Sequence, residues 1–294
     1  MTSTRGTHTE AATRRRANVW AAGLLGLLAL LILTMTVRSA AAGPSVAVQR
    51  GPAGAQDKPT IVLVHGAWAD SSSWSPVVRR LQRHGYTVHA PANPLRGLSS
   101  DAAYLSSYLH TISGPVVLVG HSYGGAVTTN AATGNPAVKA LVFVDAFAPD
   151  EGETIVQLAT AQPGSAIGGD PTTVFDPVPI PGASGDVDLY VKKSIFADAF
   201  ANDLPPRTAA VLGAVQRPIA FSALVTPSGA PAWETIPSWY LVGTEDHIIP
   251  AAEQRLMAAR AHAHTVEISA SHLAMISHPG PVTRLIIDAA KSVR

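Results

Sequence analysis

Ser122 is the residue around which a reaction could be organised. It stands in Gly120-His121-Ser122-Tyr123-Gly124-Gly125, after the apolar run Val116-Val117-Leu118-Val119 and before the small-residue stretch Ala126 to Ala132. A buried strand that ends in Gly-x-Ser-x-Gly and opens a helix has the form of a nucleophile elbow. That strained turn pushes the serine hydroxyl out at the carboxyl end of a sheet. A serine hydroxyl is a poor nucleophile near neutral pH, so it needs a base within hydrogen-bond reach and a carboxylate that orients the base. Asp246 follows the apolar run Ser238 to Val242, and His272 follows Thr265 to Ile268. Both therefore stand in loops at the carboxyl ends of strands, the same edge that presents Ser122. The three residues read as nucleophile, acid and base.

Other residues compete for these roles. Glu245 adjoins Asp246, but neighbouring loop residues point in different directions. Asp145 follows another apolar run, Ala140 to Val144, and is the alternative acid or a loop cap. His278 precedes Pro279 at a helix start and is the rival base, with capping or packing as its other reading. His121 is flanked by the elbow and reads as packing, while His247, His262 and His264 read as surface residues. Acyl transfer also needs donors for the charge that develops on a carbonyl oxygen. The run Val62-Leu63-Val64-His65-Gly66-Ala67-Trp68 ends in a His-Gly turn that can aim the Ala67 backbone N–H into the site. Tyr123, next after the nucleophile, would supply the second N–H. His65 would brace that turn, and Trp68 and Trp74 would line a pocket or fill the core.

Short apolar runs alternate with helical stretches: Thr60 to Val64, Thr87 to Ala90, Val116 to Val119, Ala140 to Val144, Ser238 to Val242 and Thr265 to Ile268. Continuously apolar strands separated by helices predict an α/β fold, a six-stranded mainly parallel sheet with helices on both faces. The alternation breaks between about 150 and 237, too long for an ordinary connection. Its first part, Pro163 to Asp186, is dense in Gly and Pro, whereas Leu189 to Ala201 and Pro206 to Val215 read as helices. The segment predicts an inserted helical lid over the strand ends. Ile195, Phe196, Phe200, Val211, Leu212 and Phe221 make it too apolar for a disordered insertion.

Val-His-Gly-Ala-Trp, Gly-His-Ser-Tyr-Gly-Gly, Trp239-Tyr240-Leu241-Val242 leading to Asp246-His247-Ile248-Ile249-Pro250, and Ser271-His272 together resemble the α/β-hydrolase superfamily. Within it they resemble the esterase and hydroxynitrile lyase branch. The order Ser, Asp, His agrees, and the resemblance extends from about Thr60 to the C-terminus. It implies the α/β-hydrolase fold, a lid inserted after the strand ending near Val144, and cofactor-free serine chemistry. Lyase members carry a lysine just after the base histidine, where this chain has Leu273. Ester hydrolysis through an acyl-enzyme is thus the leading expectation, with a small, uncharged, hydrophobic ester as substrate. Perhydrolysis, carbon–carbon bond hydrolysis or cyanohydrin cleavage on the same triad are the other enzymatic readings. A small-molecule binding module on a hydrolase scaffold is the non-enzymatic one.

With 47% apolar and 14% charged residues in 294, the chain can bury one large core. The net charge is +1, and its excess comes from Arg5, Arg14, Arg15, Arg16 and Arg38, opposed before Gly43 only by Glu10. The remainder is net acidic and offers no nucleic-acid groove. There is no cysteine, no His-Glu-x-x-His and no Gly-x-Gly-x-x-Gly after the first strand, so neither a metal nor a dinucleotide site is indicated. Residues 1–42 read as a targeting segment: Arg14-Arg15-Arg16, a nearly uncharged run from Val19 to Val37, then Ala40-x-Ala42. The run exceeds the ~7–15 residues of a signal peptide core and approaches the ~20 that span a bilayer. The expectation is an exported enzyme, either cleaved or held to the membrane by this segment alone. Residues 43–58 read as a flexible spacer, and 59–294 as the hydrolase domain.

Overall fold

The computed structural model of the protein describes residues 58–293. The targeting segment and almost the whole spacer expected from the sequence lie outside the described residues. Along the first half run β1 (Thr60–Val64), α1 (Ser75–Arg83), β2 (Val88–His89), α2 (Leu98–Leu109), β3 (Val116–Ser122), α3 (Tyr123–Ala132) and β4 (Val138–Ala146). An insertion follows with α4 (Ile155–Thr160), α5 (Pro171–Val174), β5 (Phe175–Pro179), β6 (Val187–Val191), α6 (Lys193–Phe200), α7 (Pro206–Ala214), β7 (Ile219–Ala220) and α8 (Phe221–Val225). The chain then returns through β8 (Ser238–Gly243), α9 (Ala251–Arg260), β9 (His264–Ile268), α10 (Ala274–Ser277) and α11 (Pro279–Ser292).

The main sheet has the order β2-β1-β3-β4-β8-β9, and every neighbouring pair is parallel. Parallel strands covered on both faces must be apolar throughout, which explains why β3 and β8 are buried at every residue. One helix group, α1 with α11, packs against this sheet, and a second, α2 with α3, packs against it separately. The edges differ from the centre. β9 is largely exposed, and β2 pairs only through Val88 and His89, shorter than the expected Thr87 to Ala90. A parallel sheet carries its strand ends to one edge, so the loops after β1, β3, β8 and β9 converge there.

The elbow forms because α3 begins with residues that allow helix and strand to touch. A Cβ on Gly120 would meet the Gly124 carbonyl oxygen and Gly125 Cα at 2.6 Å, and one on Gly124 would meet the Val64 oxygen at 2.5 Å. Neither position admits a side chain. Between them Ser122 adopts φ 52, ψ −129, a conformation that costs a non-glycine residue about 1–3 kcal/mol. The ladder from Thr60 to Ala146 holds that strain in place.

The insertion is a lid, but not a purely helical one. Its Pro- and Gly-rich half contributes β5, which pairs antiparallel with β6, and β6 pairs with β7. Leu189 to Val191, read from sequence as the start of a helix, belongs to β6; helix begins only at Lys193. In β6 Leu189 and Val191 turn inward while their neighbours are less buried, the alternation of a half-buried strand. Among the described residues no helix is long and apolar enough to cross a membrane.

Candidate active site

The loops after β8 and β9 bring Asp246 and His272 together. His272 Nδ1 donates to Asp246 Oδ2 at 2.8 Å, and both side chains are shut off from solvent. That bond fixes the proton on Nδ1 and leaves Nε2 bare, and Nε2 has no partner. Asp246 is itself held on every side. Its Oδ1 accepts the Ile248 and Ile249 N–H groups at 2.7 and 3.0 Å, and its Oδ2 also accepts Gln254 Nε2 at 2.8 Å. Gln254, on the first turn of α9, was not singled out by sequence. Its signal was an amide eight residues beyond Asp246 on a helix that folds back over the acid loop.

His121, next before Ser122, donates from Nε2 to the His272 carbonyl at 2.7 Å, and the two rings lie 4.8 Å apart. The residue read as packing therefore ties the base loop to the nucleophile strand. Burial above all, then the neighbouring His272, pushes its pKa well below the usual imidazole range, so His121 stays neutral. Ser122 is 2% exposed and His272 fully buried. The Ser122–His272 hydrogen bond is not formed; catalytic bonds of this kind commonly tighten only when substrate aligns them.

On the other side of Ser122 stands the turn after β1. His65 Nδ1 donates to the Gly66 carbonyl at 2.9 Å, while its Nε2 accepts the Asn93 N–H at 2.9 Å, which requires a neutral ring of one tautomer. Burial lowers its pKa to about 4, consistent with that requirement. Asn93 Nδ2 closes the loop on the His65 carbonyl at 3.0 Å. The brace brings Gly66 against Ser122, and Ala67 follows. Among the described residues neither the Ala67 nor the Tyr123 backbone N–H has a hydrogen-bond acceptor. The Tyr123 side chain points away, its hydroxyl donating to the buried Asp101 at 2.8 Å. Asp101 in turn accepts the Arg96 N–H.

The competing residues fall elsewhere. Glu245 is exposed. Asp145 is fully buried at φ 44, and neither of its oxygens has a partner, so it does not hold His272. Burial first, then the Asp246 charge, pushes its pKa far up and keeps it a neutral acid. His278 faces Asp203 at 3.4 Å and Ser277 Oγ at 2.9 Å. His247, His262 and His264 are exposed. Trp74 is a core residue against His121. Trp68 turns to the lid, donating to the Leu189 carbonyl at 2.8 Å and packing on Phe175 and Phe200.

The lid closes over this constellation. Phe200 stands edge-on to His272 at 5.4 Å and stacks on Phe196 at 5.0 Å. Trp68, Phe196, Leu212, Val215, Leu273 and Ile276 line a cavity of ≈ 30 Å³. That is far below the about 300–1,000 Å³ of a small-molecule pocket, and Ser122 and His272 are themselves buried, so the lid must move before a substrate can reach Ser122. Neither this lining nor that of a larger cavity of ≈ 480 Å³, between α6 and the loop at Gly164, includes Ser122, Asp246 or His272, although Leu273 brings the smaller one next to His272. Among the described residues no group of three or more acidic or histidine side chains is placed to hold a metal.

This arrangement can be set beside known proteins. Residues 61–285 match the model of the alpha/beta hydrolase family. The chain belongs to the alpha/beta hydrolase family. A pyrethroid hydrolase of Sphingobium wenxiniae is 28% identical over 249 residues, covering 78% of this chain and 87% of that one. A carbendazim hydrolyzing esterase of a Nocardioides species is 34% identical over 110 residues, and the match spans only 46% of its length. The crystal structure of a pyrethroid hydrolase from Sphingobium faniae superimposes with a TM-score of 0.65 at 25% identity, covering 80% of this alpha/beta hydrolase and 98% of the other chain. Polyneuridine aldehyde esterase shares the fold with a TM-score of 0.66 at 20% identity.

Proposed function

We propose that this alpha/beta hydrolase cleaves carboxylic esters through an acyl-enzyme on Ser122. The observation that carries the reading is the buried Asp246–His272 pair, its Nε2 bare, tied by His121 to the strand that ends in a strained Ser122. Ser122 Oγ attacks the ester carbonyl as its proton passes to His272 Nε2. Asp246 orients the ring and stabilises the imidazolium. The Ala67 and Tyr123 N–H groups hold the oxyanion, and their freedom from other acceptors suits them to it. Collapse of the tetrahedral intermediate expels the alcohol, protonated by His272. Water, activated by the same histidine, then releases the acid.

The substrate class follows from the cavity walls. Trp68, Phe196, Leu212, Val215, Leu273 and Ile276 offer apolar surface beside Asp70, Ser72 and Ser73, a mostly apolar wall that suits a hydrophobic ester and repels an anionic one. Relatives named for hydrolysing pyrethroids and carbendazim are in keeping with this class. Leu273, packed into that wall, supplies no cation for cyanohydrin cleavage. An ester panel run on wild type and Ser122→Ala in parallel tests the reading: turnover of apolar esters by wild type alone supports it, and equal turnover by both rejects it. Residues 1–42 are proposed to export the enzyme, and N-terminal sequencing of secreted or membrane-bound material distinguishes cleavage before Gly43 from a retained anchor.

A further inference from the structure

We propose that Asp203, in the lid, is a positioning residue for the general base, so that His272 is aligned only while lid residues 198–203 are seated. The inference rests on the catalytic reading above. Its basis is the way one short segment reaches both catalytic loops. Asp203 Oδ2 accepts the Ser271 N–H at 3.0 Å and Oδ1 accepts the Ser271 hydroxyl, so one carboxylate takes both donors of the residue immediately before His272. Ser271 is fully buried, so without Asp203 its N–H would be left unsatisfied in the interior and its hydroxyl would keep only the longer bond to the Phe200 carbonyl. The Phe200 carbonyl lies 3.3 Å from the same hydroxyl, and the Phe200 ring stands against His272.

The acid loop is gripped from the same segment. Asn202 Nδ2 donates to the Glu245 carbonyl at 3.1 Å, and His247 Nδ1 donates to the Asp198 carbonyl at 2.9 Å. Asp246 lies between those two residues. The two loops are also joined to each other, through Glu245 N–H to the Ala270 carbonyl at 3.1 Å.

His272 is thus restrained from two directions. Its carbonyl is held by His121 from the sheet, and its preceding residue by Asp203 from the lid. The sheet restraint is permanent; the lid restraint is made by an element that must move to admit substrate. An opened lid leaves the His272 backbone held by His121 and its ring by Asp246, without the Asp203 restraint on the residue before it. Seating of the lid then completes the triad at the moment the ester is enclosed, which couples substrate capture to alignment of the base.

Asp203→Ala and Asp203→Asn, measured on a short p-nitrophenyl ester and normalised to sites titrated with a fluorophosphonate, test this. Asp203→Ala is expected to lower kcat about 10- to 100-fold with KM changed less than about threefold, because misplacing a reacting group by about 1 Å costs that much. Asp203→Asn, which keeps an acceptor oxygen, should recover most of the loss. The His272 Nδ1–H proton resonance supplies a readout independent of turnover: it should broaden or move upfield in Asp203→Ala. If Asp203→Ala does not fold, Ser271→Ala, which removes one of the two donors, should show the same changes in weaker form. Wild-type kcat per titrated site together with an unchanged resonance overturns the proposal. A wild type inert to esters rejects the catalytic reading, while the resonance still decides for or against Asp203.

Discussion

Gly66→Ala is predicted to leave the fold standing and remove most of the activity. A Cβ at this position would lie 2.6 Å from Ser122 Cβ, 2.9 Å from the His121 carbonyl oxygen and 3.1 Å from His121 Nδ1. Ordinary contact begins near 3.4 Å, so the Ser122 contact must open by about 0.8 Å. Ser122 belongs to β3, laddered between β1 and β4, whereas Gly66 lies in a turn outside the sheet, braced by His65 and Asn93. The turn therefore yields and carries the Ala67 N–H with it. A donor about 2.9 Å from the oxyanion would move out towards 3.7 Å, beyond hydrogen-bond range. Losing one oxyanion donor costs about 10²–10³ in kcat, or about 2.7–4 kcal/mol, with little change in KM because the contact is made in the transition state. Steady-state kinetics on a p-nitrophenyl ester, with melting temperature as the check on folding, measures it. Gly169→Ala is the control, since a Cβ there meets nothing within 4 Å. A folded Gly66→Ala enzyme with kcat within threefold of wild type would refute the placing of the oxyanion turn.

Asp246→Asn should lower kcat by about 10⁴ by holding His272 in the wrong tautomer, whereas Asp145→Asn, at a neutral and unpartnered carboxyl, should stay within tenfold; the reverse ranking in kcat measurements would move the acid to β4. Stability should fall in acid because burial lowers the His65 pKa from 6.5 to about 4. The unfolded chain takes up the extra proton between those values, so the contribution is full above pH 6.5 and about 3 kcal/mol is lost by pH 4. His121 acts in the same direction. Urea unfolding across this range should show a flatter slope for His65→Asn, and an unchanged slope contradicts the assignment. Phe196→Ala opens the wall of the lid cavity and should raise kcat/KM for bulky esters relative to acetates; an unchanged ranking across an acyl series rejects a gating role for this ring.

The candidate triad residues could be located in the sequence because each follows a strand-like run, and in a parallel sheet such runs end at one edge. The Gly spacing around Ser122 carried the elbow in the same way. What surrounds them was not legible, since it depends on pairs far apart in the chain. Gln254 behind Asp246, His121 beneath His272, and Asp203 against Ser271 are polar contacts that no periodicity announces. The lid was read as helical because Pro and Gly between 163 and 186 obscure β5, and because β6 is too short for its alternation to outweigh the helix that follows. Edge strand β2 is shorter than its apolar run because its register with β1 covers Val88 and His89, with the Thr87 carbonyl accepting the Ile61 N–H just before it.

The central claim is a covalent acyl intermediate on Ser122, and intact-protein mass spectrometry of the quenched reaction tests it most directly. A slowly deacylating ester such as p-nitrophenyl trimethylacetate should add one acyl mass to the wild type, and peptide mapping should place it on Ser122 within the Gly120 to Gly125 segment. His272→Ala should accumulate little adduct, because the attacking proton has nowhere to go. An adduct on another residue, or undiminished turnover by Ser122→Ala, would contradict the account.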